Sequence, residues 1–188
     1  MNHPEPSTTD RIIMTTLTLI AERGIGAITM IEIARSAGIA RQTLYNHYSD
    51  VDSIVADAIS RHNEESINQL RAAVAVVDTP TAQIEQLVRH VAQISGHQGH
   101  IIDSDYGLGP GHRAALDDYN RALNDLIGGI IINGQQSNEF RPDLDTEQDS
   151  TLVRYQLAGI SNLVSNDPDN APSITRTGTR SILATLHQ

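Results

Sequence analysis

Residues 29–48 read TMIEIARSAGIARQTLYNHY, and the spacing of small, apolar and polar side chains in this stretch decides the fold. Thr29 and Glu32 stand three apart, the capping-box arrangement in which a threonine hydroxyl and a glutamate carboxylate satisfy the orphan N–H groups of a helix start. Gly38 ends that helix early, because a tight turn needs a residue that tolerates positive φ. A second short helix starts near Ala40 or Arg41 and runs through Gln42, Thr43, Leu44, Tyr45, Asn46, His47 and Tyr48. Ile33 and Ala34 fall on the inner face of the first helix. Ile39 and Leu44 can close a small core beneath the turn, with Tyr48 beside them. A small residue at Ala34 lets the two helices approach closely, leaving the polar side of the second one outside.

The same punctuation continues in both directions. Residues 1–8, MNHPEPST, form a polar arm for which no structure is expected. Ile13, Leu17, Ile20 and Ala21 mark one face of a preceding helix, with Gly24 and Gly26 as its terminators. Ser49-Asp50-Val51-Asp52 opens a long fourth helix with Val51, Val55, Ala58 and His62 on one face, then Ile67, Leu70, Val74 and Val77. Thr79-Pro80 starts the next helix. Its face is Ile84, Leu87, Val88, Val91 and Ile94, and Gly96 ends it. Residues 97–111, HQGHIIDSDYGLGPG, are glycine-rich and are read as a loop holding a short helix. Pro110 precedes a long helix that stops before Arg141-Pro142, and helices at about 146–165 and 173–187 follow. No segment alternates with period two between hairpin turns, so the chain is read as all-α with about nine helices.

The 188 residues carry no cysteine, which excludes disulfides and thiolate metal sites. No basic leader and no run of 18 apolar residues is present, so the expectation is a soluble, cytoplasmic protein. The net charge is −10, and every one of the 13 cationic side chains is arginine. Residues 1–62 hold five arginines against seven acids, and the remainder eight against sixteen. Most of the acidity therefore lies outside the N-terminal part, although that part is not basic either.

The run A-x-x-A-G-I, followed by T-L-Y-N-H-Y and an acid-capped helix, resembles the TetR-family DNA-binding domain over about residues 9–60. A second stretch, GQQSNEFRPDLD at 134–145, resembles that family's turn before its last helices. The resemblance implies a three-helix helix-turn-helix head over 9–52 and a helical ligand-binding and dimerisation domain over 53–188. It implies no cofactor and no enzymatic activity. The expected partners are a palindromic DNA operator, a small-molecule effector and a second copy of the chain, in a ligand-released repressor at the nucleoid.

Within that frame Thr29 is expected to meet a phosphate through its helix-terminal amide. Arg41, Gln42 and Thr43 begin the recognition helix, the part that reaches base edges. Gln42 suits adenine, and Arg41 suits guanine or phosphate. Tyr45 and His47 match phosphate-contacting positions, and Asn46 could serve either purpose. The family usually has phenylalanine where Tyr48 stands and commonly has lysine at Val51. The missing cation implies a shallow salt dependence of DNA binding.

In the remainder, Leu152, Val153, Gln156, Ile160, Leu163 and Val164 on one helix, with Ile174, Gly178, Ile182 and Leu186 on the next, give stripes that two copies could bury as a four-helix bundle. The resemblance implies a cavity among the middle helices, and Tyr106, Tyr119, Asn120 and Tyr155 are the polar-tipped groups suited to orient a hydrophobic ligand there. A loose cluster of His90, His97, His100, Asp103, Asp105 and His112 is read as a solvated loop. Its alternative is a metal-dependent enzyme or metal sensor, with His97, His100 and Asp103 as the candidate ligands.

Overall fold

The computed structural model describes residues 6–97 and 110–187. Eight α-helices lie among the described residues, and no strand does: α1 (Thr8–Arg23), α2 (Met30–Ser36), α3 (Arg41–His47), α4 (Val51–Ala75), α5 (Pro80–His97), α6 (Pro110–Gln136), α7 (Thr146–Asn166) and α8 (Ala171–Leu186). The short helix expected within 97–111 would lie outside the described residues.

Helix starts follow local chemistry. Ser7 and Asp10 form a capping box at α1, and Thr29 and Glu32 form one at α2. Asp50 accepts from the Ser53 N–H at 2.8 Å before α4, Thr79 Oγ1 accepts from Ala82 at α5, and Asp145 accepts from Gln148 at α7. Gly24 closes α1 at φ 75°, and Gly38 makes the α2–α3 turn at φ 64°. Gly26 was expected to act as Gly24 does. It lies instead in a single 3₁₀ turn, Ile25–Ala27, and Gly96 falls inside the last turn of α5.

The chain divides into two compact units. One takes in the helices up to Glu64 with the start of α6 up to Asp118, and the other the rest. The first unit is built around Ile12, Leu19, Ile28, Met30, Ile33, Ala34, Leu44 and Ile54. The core of the second includes Ile67, Leu70, Ile84, Leu87, Val88, Ile127, Ile131, Val153, Leu157, Ile160, Val164, Ile182 and Leu186. There α5, α7 and α8 all pack on one another.

The turn after α6 fixes the ends of three helices. Asn138 takes φ 61°, Glu139 N–H donates to Gly134 O at 2.9 Å and Asn138 N–H to Gln135 O at 3.2 Å, the paired bonds of a Schellman stop. The Glu139 carboxylate accepts from the Thr81 N–H near the start of α5, and Arg141 donates to Leu186 O through its amide and to Thr185 O through Nε at the end of α8. Phe140 folds back onto the backbone of Gly134, where a Cβ would stand 2.1 Å from the ring. Gly134→Ala should therefore destabilise the protein by about 1–3 kcal/mol, despite the better helix propensity of alanine. Urea unfolding of the purified variant measures this, and an unchanged midpoint would show that the ring moves aside freely.

Candidate nucleic-acid interface

The recognition helix α3 buries one side chain, Leu44. Leu44 joins Ile12, Ile33, Ala34 and Ile54 in the core, with Ile39 and Tyr48 packed against the same cluster. The turn is tied from α1, because the Arg11 guanidinium donates to Ala37 O at 2.6 Å. That clamp joins residues 26 positions apart, and no local spacing in the sequence announces it.

With Leu44 inward, the other side of α3 faces out. Arg41, Gln42, Asn46 and His47 are exposed, Tyr45 is 52% exposed and Thr43 is half-buried. The structure thus brings the expected DNA-contacting side chains onto one short element. Gln42 Nε2 donates to Asn46 Oδ1 at 3.1 Å, which aligns two amides along the helix. His47 Nδ1 lies 3.5 Å from Thr9 Oγ1. Arg41 pairs with no carboxylate among the described residues, and α3 contains no acid.

Thr29 differs from the simplest expectation. Its N–H donates to Glu32 Oε2 at 3.1 Å and its hydroxyl to the same oxygen at 2.8 Å, so a phosphate there would have to displace the glutamate.

Four acids of this unit, Asp10, Glu32, Asp50 and Asp57, are engaged. Asp10 accepts from the Ser7 hydroxyl and amide and pairs with Arg61 at 3.2 Å, and the Ser7 hydroxyl chiefly holds its carboxyl below the ordinary range. The Thr29 hydroxyl does the same for Glu32, which also pairs with Arg23. The Ser53 amide leads the same lowering at Asp50. Tyr48 donates its hydroxyl to Asp57 Oδ2, while Arg61 Nε donates to Asp57 Oδ1 at 3.2 Å. Burial first, and the bond to Asp57 second, push the Tyr48 phenol above its usual range. Tyr48 is therefore a core residue with a polar tether, linking the end of α3 through α4 to α1.

The other expected site residues lie apart from α3. Tyr119 is partly buried against the second core, and burial raises its phenol above the usual range. Asn120 Oδ1 accepts from Arg154 at 3.3 Å. Tyr155, expected to line a cavity, is instead 63% exposed, with the Arg154 guanidinium 4.4 Å from its ring centre. The helical period places it on the outer flank of α7, away from Val153 and Leu157. Tyr106, His100, Asp103 and Asp105 lie outside the described residues, and the side chains of His97 and His112 are not among those described. Among the described residues no group of three or more histidines and carboxylates could hold a metal. No described helix is long and apolar enough to cross a membrane.

A tri-helical head with an outward-facing third helix that buries only Leu44 has the helix-turn-helix arrangement, in which the second helix of the pair is the one that can enter a DNA major groove. Residues 12–58 match the family model described as bacterial regulatory proteins, tetR family, and the chain carries that family's DNA-binding domain there. A transcriptional repressor, KstR2 of Rhodococcus jostii, is 29% identical over 135 residues, spanning 69% of this chain and 66% of the repressor. The fold matches the fatty acid degradation regulator FadR of Bacillus halodurans with a TM-score of 0.80 at 16% identity, covering 99% of this chain and 100% of that one. It also matches FadR of Bacillus subtilis, solved in complex with stearoyl-CoA, with a TM-score of 0.79 at 14% identity, covering 94% and 98%.

The tether makes a measurable difference within the head. A double-mutant cycle between Tyr48→Phe and Asp57→Ala should give a coupling of about 1 kcal/mol in unfolding free energy. A coupling near zero would mean that water replaces the hydroxyl without loss.

Proposed function

We propose that this chain is a ligand-released repressor that binds a palindromic operator as a homodimer, with residues 9–52 as the reading head and 53–188 as sensor and pairing domain. The observation that carries this is the outward polar face of α3, free of acids and bearing Arg41, Gln42, Tyr45, Asn46 and His47. Gln42 and Arg41 read bases, Tyr45 and His47 hold phosphates, Asn46 and Thr43 extend the contact surface, and Thr29 meets the backbone by exchanging its glutamate partner. Two heads on half-sites about 34 Å apart, or a multiple of it, supply the affinity that one lacks. The setting is the cytoplasm, on the nucleoid.

Pairing is assigned to the outer flank of α7 with the adjoining edge of α8. Of the stripes expected to pair, Val153, Ile160, Val164, Ile182 and Leu186 are buried within the chain's own core. Leu152, Tyr155 and Leu163 are 55%, 63% and 57% exposed, and with Gly159 they form the apolar band that a second copy would cover. Gly178 cannot serve as an external small residue, because Ile160 lies against it.

The effector is read as a mostly apolar molecule oriented by Tyr119, Asn120 and Tyr106, and acyl-coenzyme A thioesters are the first candidates because the Bacillus subtilis neighbour holds stearoyl-CoA. Release works by population shift. α4 supplies Ile54 to one core and Ile67 and Leu70 to the other, so a ligand that favours a tilted α4 changes what the head can reach. Moving the protein from 1:99 to 99:1 requires about 10⁴-fold preference for the released conformer.

Two measurements test this reading. Mobility shift on DNA flanking its own coding region should show a sequence-specific complex that Gln42→Ala with Tyr45→Ala abolishes, with a modest salt slope. Specific binding retained by that double variant would overturn the assignment of α3. Leu163→Glu should convert a dimer to a monomer in sedimentation and weaken the DNA complex by at least tenfold, roughly 1.4 kcal/mol. A dimer that survives the charge would place the pairing face elsewhere.

A further inference from the structure

We propose that the groove between α5 and α8 is a binding site for a phosphorylated small molecule carrying at least two phosphoryl groups, distinct from the DNA-reading face. The groove is open to solvent, offers about 760 Å³ and lies wholly within the second unit. Arg89 on α5 and Arg176 and Arg180 on α8 line it, against a single carboxylate, Glu85. None of the three arginines forms an ion pair among the described residues, and the one side-chain partner of Arg89 is the neutral Gln86 amide oxygen. Three cationic side chains thus meet one carboxylate on this groove, although the chain as a whole carries 23 acids against 13 arginines. Elsewhere in the same unit guanidinium groups are engaged internally, Arg141 with Asp143 and Thr185 O, and Arg154 with Asn120, Asn124 and the Tyr155 ring.

The spacing suits a multiply charged anion. Arg176 and Arg180 are four apart on one helix face, where like charges repel unless something negative sits between them. Guanidinium forks match phosphoryl oxygens in pairs, so these two hold one phosphoryl group while Arg89, from the opposite wall, meets a second. Thr179 lies between them on the lining and adds a hydroxyl donor, whereas Thr175 already donates to Ala171 O at 2.7 Å and offers only lone pairs. Leu183 and Ala184 continue the wall beyond the arginines, and the volume exceeds what inorganic phosphate needs, which leaves room for an organic portion. α8 contributes no acid along its 16 residues, so nothing on that side opposes the anion. The band assigned to pairing uses α7 and the flank of α8 near Ser181, which Gln156 reaches, and so leaves this groove open.

The test uses the full chain without DNA, so its outcome does not depend on whether an operator exists. Inorganic pyrophosphate and ADP are titrated by calorimetry and thermal unfolding in chloride buffer of matched ionic strength, beside orthophosphate. Expected are one site per chain, a rise in Tm, and binding of pyrophosphate and ADP about tenfold tighter than orthophosphate. Arg176→Gln with Arg180→Gln, both exposed side chains, should leave the unliganded Tm unchanged and weaken binding by about tenfold or more. Binding that the double variant retains, no saturable binding, or a response that orthophosphate and chloride reproduce equally would overturn the proposal. Should the double variant unfold, Arg89→Gln carries the same expectation from the other wall.

Discussion

The reading head depends on a single buried contact, Leu44 of α3 against Ile33 and Ala34 of α2 and Ile12 and Ile54 from the helices on either side. A seven-residue helix is not stable alone in water, since nucleation leaves too few bonds to repay the ordering. Burying one leucine contributes about 1.5–3 kcal/mol, and the Arg11 bond to Ala37 O fixes the turn before α3. Ala40 leads into α3 without a side-chain cap, and Tyr48 closes it with an amide bond to Leu44 O and a phenol tether to Asp57. The orientation of the polar face is thus imposed by α1, α2 and α4, not chosen by α3.

The same economy engages four of the carboxylates around α3. Formal charge counts every carboxylate alike, but Asp10, Glu32 and Asp50 cap helices, and Asp57 is held between Tyr48 and Arg61. Their charge is met locally by N–H groups, hydroxyls and two arginines. What remains on α3 is one arginine and a row of neutral donors and acceptors. Recognition built on such a face relies more on hydrogen-bond geometry than on charge neutralisation.

Much of this was legible in the sequence because it is local. Capping boxes span three residues, Gly38 announces its own turn, and helical periodicity sorted Ile33, Ala34 and Leu44 inward and Arg41, Gln42 and Tyr45 outward. What was not legible is set by distance. Arg11 clamps a turn 26 residues away, and Arg61 reaches Asp10 across 51. α7 has apolar residues on two flanks, and periodicity alone cannot say which flank meets its own chain. Packing decides it: Val153, Leu157, Ile160 and Val164 face inward, Ile160 fills the space beside Gly178, and Leu152, Tyr155 and Leu163 are left outside. Tyr155 therefore lies on the exposed flank of α7.

The chemistry of helix ends shows where rigidity lies. The turn after α6 ties α5, α6 and α8 through Glu139, Gly134 O and Arg141, all at helix termini where backbone groups lack internal partners. Sliding any one of these helices would strand those groups, so relative motion among them is costly. α4 has no such bond to that turn among the described residues, and its ends are a cap at Asp50 and the break at Asp78-Thr79. It enters the second core through the aliphatic side chains of Ile67 and Leu70, whereas in the first unit Ile54 is joined by polar bonds, Asp57 accepting from Tyr48 and Asn63 donating to Ala115 O at 3.1 Å. Aliphatic contacts are non-directional and tolerate small shifts that hydrogen-bonded termini do not. The stretch of α4 that carries Ile67 and Leu70 is therefore the part of that helix held by non-directional contacts.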